Sequence, residues 1–133
     1  MSPVPMLTVY GLSACDTVKR ARIWLEAQGV EYRFVDFKKT PPSATQIAAW
    51  ANAVGWDALL NKRGTTWRKL DPATQASVVD AASAVAVLAH HPSAIKRPVV
   101  EGWKMLLVGF DAAQWRALTA SDVAPDRRPE PAA

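Results

Sequence analysis

Apolar residues in this chain fall into short continuous runs and into stretches of helical spacing, and the two patterns alternate. A run of apolar residues at Leu7–Tyr10 predicts a strand. Asp16–Gln28 carries its apolar residues at helical spacing and is followed by Gly29, which is typical of a helix end. Tyr32–Asp36 predicts a second strand. The chain therefore opens with a β-α-β unit whose strands are parallel.

The middle of the chain is predicted to be helical. Ser43 can cap a helix that ends at Gly55, and Trp56–Leu60 predicts a short helical turn. Asn61–Leu70 is polar and basic and predicts a loop. Ala73–His90 is rich in alanine and poor in helix breakers, so it predicts a further helix.

Strands return in the last third of the chain. Pro98–Glu101 and Met105–Val108 flank a turn that contains glycine, and together they predict a hairpin. Ala112–Leu118 predicts a final helix. The order is β-α-β, a helical insertion at about 43–91, and then β-β-α. This order is that of the α/β thioredoxin-like fold.

Length and composition predict one domain with flexible ends. A chain of 133 residues, half of them hydrophobic and 21% charged, is typical of a soluble globular domain. We expect a flexible N-terminus at 1–5, a folded domain at 6–119 and a disordered tail at 120–133, which is rich in proline and charge. The apolar runs are too short for a membrane span, and no secretory signal is recognised, so we expect no membrane partner.

Charge and metal-ligand spacing exclude further classes of function. The net charge of +4 is mild and its basic residues are dispersed, which does not predict a nucleic-acid partner. His90 and His91 have no cluster of cysteines or carboxylates nearby, so the pair predicts a helix end and no metal site. A single cysteine cannot form an internal disulfide, which is consistent with the reducing cytoplasm.

That cysteine, Cys15, is the main candidate for chemistry. It lies between a Gly/Ser loop and the start of the first predicted helix, where the helix N-terminus favours a thiolate. Lys19, Arg20 and Arg22 follow within two turns and act in the same direction, whereas Asp16 opposes them. The alternative is a buried, inert cysteine. The loop before Cys15 and the basic turn after it favour a reactive cysteine.

Two basic segments are the other candidates. Lys62–Lys69 holds four cations, two hydroxyls and a glycine, a set that suits an oxyanion or a carboxylate. Taken alone, it is more typical of a solvated loop anchored by Trp67. Arg97 precedes Pro98 at the start of a predicted strand, where the proline either forms a cis peptide bond or merely begins the strand in trans.

The three sites together resemble the ArsC family of arsenate-reductase-like proteins, and most of all its YffB-type branch, over about residues 6–119. Each matching segment is weak alone, but their order and spacing are specific. The segments are Gly11–Arg22, Leu59–Leu70, Asp80–Ala84, His91-Pro92 and Ile95–Pro98.

The resemblance implies a thioredoxin-like domain with a nucleophilic cysteine and arginines that hold an oxyanion. By position, Cys15 matches the nucleophile and Arg63 the arginine of the insertion. Arg97 matches the arginine before a cis-proline, Pro98, which in this fold lies beside the cysteine. We therefore expect a glutathione-dependent thiol reductase that acts on glutathione or glutathionylated thiols. Glutathione would be a co-substrate, with no bound cofactor, because resolution must come from outside.

One departure from the family pattern lies after the last predicted strand. Arsenate reductases carry a third arginine there in a Gly-Arg-Pro turn, and this chain has Gly109-Phe110-Asp111. Losing one charge-assisted contact would cost about 1.5–3 kcal/mol, so we do not expect arsenate to be the natural substrate. The alternative is a regulator: Spx-type proteins share the fold and bind RNA polymerase without turnover. Their Cys-x-x-Cys switch is absent here, because its fourth position is Val18.

Overall fold

The computed structural model describes residues 6–103 and 105–127. The strands are β1 (Leu7–Gly11), β2 (Tyr32–Asp36), β3 (Val99–Glu101) and β4 (Leu107–Val108). The helices are α1 (Asp16–Ala27), α2 (Ala44–Val54), α3 (Trp56–Leu59), α4 (Thr65–Lys69), α5 (Pro72–Ala76), α6 (Ala81–His90) and α7 (Ala112–Arg127), with a 3₁₀ turn at Pro92–Ala94.

The strands form one sheet in the order β2-β1-β3-β4. β1 and β2 are parallel, with Leu7 opposite Tyr32, and this confirms the predicted β-α-β opening. β3 and β4 are antiparallel, as the predicted hairpin requires, and β3 is also antiparallel to β1. The α/β thioredoxin-like order, with helices inserted between the two halves, is therefore confirmed.

Two hydrophobic clusters cover the two faces of this sheet, because alternate side chains of a strand point in opposite directions. Val9 packs with Leu25 and Trp115, and all three are fully buried. Tyr10, the next residue, packs in the other cluster with Trp50 of α2. Full burial of a valine or leucine side chain stabilises the fold by about 1.5–3 kcal/mol, so the two clusters fix β1 between the helices.

A polar contact fastens α2 to the sheet. The carboxylate of Glu101 accepts hydrogen bonds from the Tyr10 hydroxyl and from the Trp50 indole N–H, each at 2.7 Å. Burial, followed by the hydrogen bond to Glu101 and its negative charge, raises the pKa of Tyr10 to about 12. Both carboxylate oxygens are thus used to hold two aromatic side chains.

The insertion differs from its prediction in two places. The predicted loop at Asn61–Leu70 contains the short helix α4. The single helix predicted at Ala73–His90 is two helices, α5 and α6, because Asp80 begins α6 with a capping box: it accepts from the Ser83 N–H, and the Ser83 hydroxyl accepts from the Asp80 N–H. A side chain that bonds the backbone in this way competes with a continuous helix.

The ends of the chain also differ from the prediction. α7 continues to Arg127, past Leu118, and takes in residues 120–127, which were predicted to be disordered. Trp115 anchors the first half of α7, and adding residues to an anchored helix costs little free energy. Residues 128–133 of the predicted tail and the predicted flexible residues 1–5 lie outside the described residues.

The predicted helix end at the histidine pair is confirmed, because α6 ends at His90 and His91 follows as its C-cap. Within the described residues, no group of three or more potential ligands is placed to hold a metal ion. Over the same ranges, the helices are too short or too polar to cross a bilayer.

Candidate active site

Cys15 lies at the boundary between the loop after β1 and helix α1. Its backbone is extended, with φ −75° and ψ 127°, and it is the N-cap residue of α1. Its N–H donates to the carbonyl of Leu12 at 3.0 Å, which closes the loop into a tight turn. A Cβ on Gly11 would come within 2.7 Å of the Val18 side chain, so glycine allows α1 to start this close to β1. The thiol is half-buried.

The surroundings of Cys15 favour the thiolate. Burial raises the pKa of the thiol, but hydrogen bonds from the Val18 N–H and the Arg97 guanidinium, the charge of Arg97, and the Thr17 N–H outweigh it and hold the pKa below its usual value. Two of these donors are free N–H groups of the first turn of α1. A helix N-terminus lowers the pKa of a cysteine thiol, so the shift has the direction that the sequence predicts.

The cation that lowers the pKa of the thiol is Arg97, which the family resemblance associates with the cysteine, and not a residue of the basic turn of α1. Lys19 and Arg20 are exposed, where solvent and salt screen their charges. Arg22 faces β2 instead: its Nε donates to the Tyr32 hydroxyl at 3.0 Å, and its guanidinium lies 4.1 Å from the centre of the Phe34 ring. Arg97 therefore supplies the charge that was attributed to the basic turn of α1.

Arg97 is held from behind by the backbone. Its Nη1 donates to the carbonyl of Ser93 and, at 3.3 Å, to that of Ile95. Its Nε is buried and has no hydrogen-bond partner among the described residues. The peptide bond to Pro98 is cis, as predicted, and Pro98 is buried. The guanidinium is thus fixed beside the sulfur and retains a free donor.

The loop that carries Arg63 is joined to the segment that leads into Arg97. The Asn61 N–H donates to the Ala94 carbonyl, and the Lys96 N–H donates to the Leu59 carbonyl, both at 2.8 Å. Leu60 and Ile95 form an isolated antiparallel bridge between them. Arg63 itself is exposed. The structure therefore places the loop next to the Arg97 segment, while a role for Arg63 as an anion ligand stays a prediction.

The turn that departs from the family pattern serves the fold. Phe110 packs edge-on against Trp115, with ring centres 4.7 Å apart. Asp111 Oδ1 accepts from the N–H groups of Ala113 and Gln114 at 3.0 and 3.1 Å, so it caps α7. Sequence reasoning missed this cap, although an aspartate just before a helical pattern is a standard signal for one.

Sequence reasoning also missed the Ser93 carbonyl that orients Arg97. A backbone acceptor has no signature in the residue type, so only the fold reveals it.

The ArsC family model matches residues 10–118 of the chain. The protein is a member of the ArsC family. An uncharacterized protein from Haemophilus influenzae is 38% identical over 86% of this chain and 100% of its own length. A solved structure named YffB is 41% identical with a TM-score of 0.81, covering 85% of this chain and 98% of that one. An ArsC-related protein from Brucella melitensis is 44% identical with a TM-score of 0.69, covering 88% and 97%.

This ArsC-family chain is also similar, more distantly, to transcriptional regulators. The global transcriptional regulator Spx of Streptococcus pyogenes is 22% identical over 88% of this chain and 87% of its own length. The chain is therefore similar both to a protein described as related to arsenate reductase and to a protein described as a transcriptional regulator.

Proposed function

We propose that this protein is a glutathione-dependent thiol reductase in which Cys15 is the only nucleophile. The observation that carries the proposal is the position of Cys15 as the N-cap residue of α1, with the Arg97 guanidinium close enough to lower the pKa of its thiol. A thiolate is the nucleophilic form of cysteine, and this site stabilises it with a fixed cation and two backbone N–H groups.

The reaction has two thiol–disulfide exchanges. In the first, the Cys15 thiolate attacks the glutathione sulfur of a mixed disulfide, a new sulfur–sulfur bond forms, and the substrate leaves as a thiolate that takes a proton from water. In the second, the thiolate of a free glutathione attacks the glutathione sulfur bound to Cys15. Oxidised glutathione leaves, and the Cys15 thiolate is restored. The substrate disulfide gains two electrons, and glutathione supplies them.

Arg97 assists both exchanges. It stabilises the Cys15 thiolate before the first attack, and the same thiolate is the leaving group of the second. A thiol of lowered pKa leaves faster, so one contact serves both steps. Since the chain has a single cysteine, an external thiol must complete the cycle.

The substrate is a carboxylate-bearing thiol compound rather than arsenate. Arg63 is exposed and offers a guanidinium fork that matches a carboxylate, and Arg97 adds its positive charge at the sulfur. The turn Gly109-Phe110-Asp111 contributes no cation, because Phe110 packs on Trp115 and Asp111 caps α7. An arsenate anion would therefore lack a third charge-assisted contact.

Turnover of a glutathionylated substrate tests the proposal. The purified protein is mixed with a glutathionylated peptide and reduced glutathione, and oxidised glutathione is followed through glutathione reductase. We expect turnover by the natural chain and none by Cys15→Ser, which keeps the shape of the side chain. Equal rates for the two proteins would refute the assignment of Cys15.

A regulator is the second candidate, and the similarity to Spx over 88% of the chain supports it. It would bind RNA polymerase without turnover, and Cys15→Ser would bind as well as the natural chain. Sedimentation with purified RNA polymerase distinguishes the two: binding by both chains without turnover favours the regulator, and turnover that depends on Cys15 favours the reductase.

A further inference from the structure

Lys96 lies across the turn that follows β4. The N–H of Gly109 donates to the carbonyl of Pro98 at 2.8 Å, which holds this turn against the start of β3. Gly109 has a φ of +86°, a conformation that favours glycine. A Cβ on Gly109 would lie 3.3 Å from Lys96 Cε and 4.0 Å from Nζ. The stem of Lys96 therefore passes over a surface that carries no side chain.

Lys96 places a second cation beside the turn that follows β4, one residue before Arg97. Its backbone is fixed by the hydrogen bond to the Leu59 carbonyl, and its side chain is exposed. Arg97, the next residue, turns to the Cys15 thiol, whereas Lys96 turns to Gly109. Two adjacent cations of one short segment therefore face two different neighbours.

The neighbouring turn supplies no cation of its own. Phe110 is committed to Trp115, and Asp111 is committed to the first turn of α7. An anionic group of a ligand that extends from Cys15 over this turn would therefore meet the ammonium of Lys96.

We propose that Lys96 binds a carboxylate of the sulfur substrate while the substrate sulfur lies at Cys15. The inference rests on the proposed function and adds the residue that selects disulfides with free carboxylates over disulfides without them. Glutathione fits this arrangement because its thiol is on the central residue and its carboxylates are at the two ends. A lysine provides a point charge on a flexible stem, which suits a carboxylate exposed to solvent.

Lys96 acts on the substrate and not on the thiol. The groups that lower the pKa of Cys15 are Val18, Arg97 and Thr17, and Lys96 is not among them. Removing its charge should change the capture of an anionic disulfide and leave the reactivity of Cys15 unchanged.

The experiment measures the first exchange alone. The rate at which Cys15 becomes glutathionylated is followed by intact mass, with oxidised glutathione in excess, and compared with its esterified form, in which the carboxylates are blocked. We expect Lys96→Gln to slow the reaction with oxidised glutathione about two- to fivefold, the effect of an exposed ion pair, and to leave the ester rate unchanged. Lys96→Arg should retain the natural rate.

Lys39→Gln is the matched control, because it removes an exposed lysine that follows β2, on the other side of β1. Lys39→Gln should react with oxidised glutathione and with its ester at the rates of the natural chain. If Lys96→Gln slows the reactions with both disulfides equally, or slows neither, the assignment of Lys96 is overturned and the proposed function still stands. If the natural chain reacts with neither disulfide, the proposed function and this inference both fall.

Discussion

Arg97, whose guanidinium lowers the pKa of the Cys15 thiol, donates a hydrogen bond to the carbonyl of Ser93. The donor is Nη1, so the backbone at Ser93 helps to set the direction of the cation. The segment that contains Ser93 is itself joined to the insertion through the Asn61 N–H and the Ala94 carbonyl. The helical insertion therefore helps to hold the segment that carries Arg97.

Replacing Arg97 by glutamine should make Cys15 less reactive. The change removes a hydrogen bond and a positive charge that both lower the pKa of the thiol, so the pKa should rise and less thiolate should remain at neutral pH. We expect alkylation by iodoacetamide near neutrality to slow about three- to tenfold. The rate of alkylation as a function of pH gives the thiol pKa directly.

Arg20→Gln is the control for that experiment. Arg20 is exposed on α1, so its loss should leave the alkylation profile unchanged. Arg97→Lys keeps the positive charge but loses the planar guanidinium, so its alkylation rate should lie between those of the natural chain and of Arg97→Gln. If Arg20→Gln slows alkylation as much as Arg97→Gln does, the basic turn of α1 controls the thiol, and Arg97 does not.

The lowered pKa of Cys15 should also appear as a dependence of stability on pH. A thiol whose pKa is lower in the folded than in the unfolded chain, where it is about 8.5, stabilises the fold fully above that unfolded value. This contribution is lost as the pH falls through the folded pKa. Urea unfolding of the natural chain and of Cys15→Ala under reducing conditions should therefore give free energies that diverge as the pH rises toward 8.5. Curves that remain parallel would contradict a lowered thiol pKa.

Tyr10 should contribute to stability with the opposite dependence on pH. Its pKa is raised to about 12 by burial and by Glu101, so the neutral phenol stabilises the fold fully below its unfolded pKa of about 10. That stability is lost as the pH rises from about 10 to 12. Glu101→Gln should lower the Tyr10 pKa, measured by phenolate absorbance, because it removes the negative charge. An unchanged titration in Glu101→Gln would mean that burial alone sets the pKa.

The fold could be predicted from sequence because its signals are local. The parallel pairing of β1 and β2 follows from two apolar runs around a helix that ends before Gly29, and the structure has both strands there. The division of Ala73–His90 was missed because apolar spacing and alanine content do not reveal where Asp80 stops one helix and caps the next.

The site could be predicted only in part, for a different reason. Cys15 stands at a helix start that the sequence makes visible, but the choice of its cation depends on which chain segments meet. Arg97 is 82 positions further along the chain than Cys15, and Lys19 is four. Proximity in sequence favoured Lys19, whereas β3 lies beside β1 in the sheet and brings Arg97 to the thiol.

The turn after β4 should prevent efficient arsenate reduction, and Phe110→Arg tests this. The change supplies the missing cation but removes a ring that packs edge-on against Trp115 at 4.7 Å and against Trp24 at 6.3 Å. We expect the free energy of unfolding to fall by about 1–3 kcal/mol, less than for a fully buried phenylalanine, since Phe110 is half-buried. Phe110→Leu removes the same aromatic contacts without adding charge, so it should lose stability while gaining no affinity for arsenate. Arsenate binding, measured by calorimetry, should become stronger in Phe110→Arg and not in Phe110→Leu.

The natural chain itself should show weak or no glutathione-coupled arsenate turnover. Robust arsenate turnover by the natural chain would show that Phe110 and Asp111 do not restrict the substrate, and the preference for carboxylate-bearing disulfides would then lose its support.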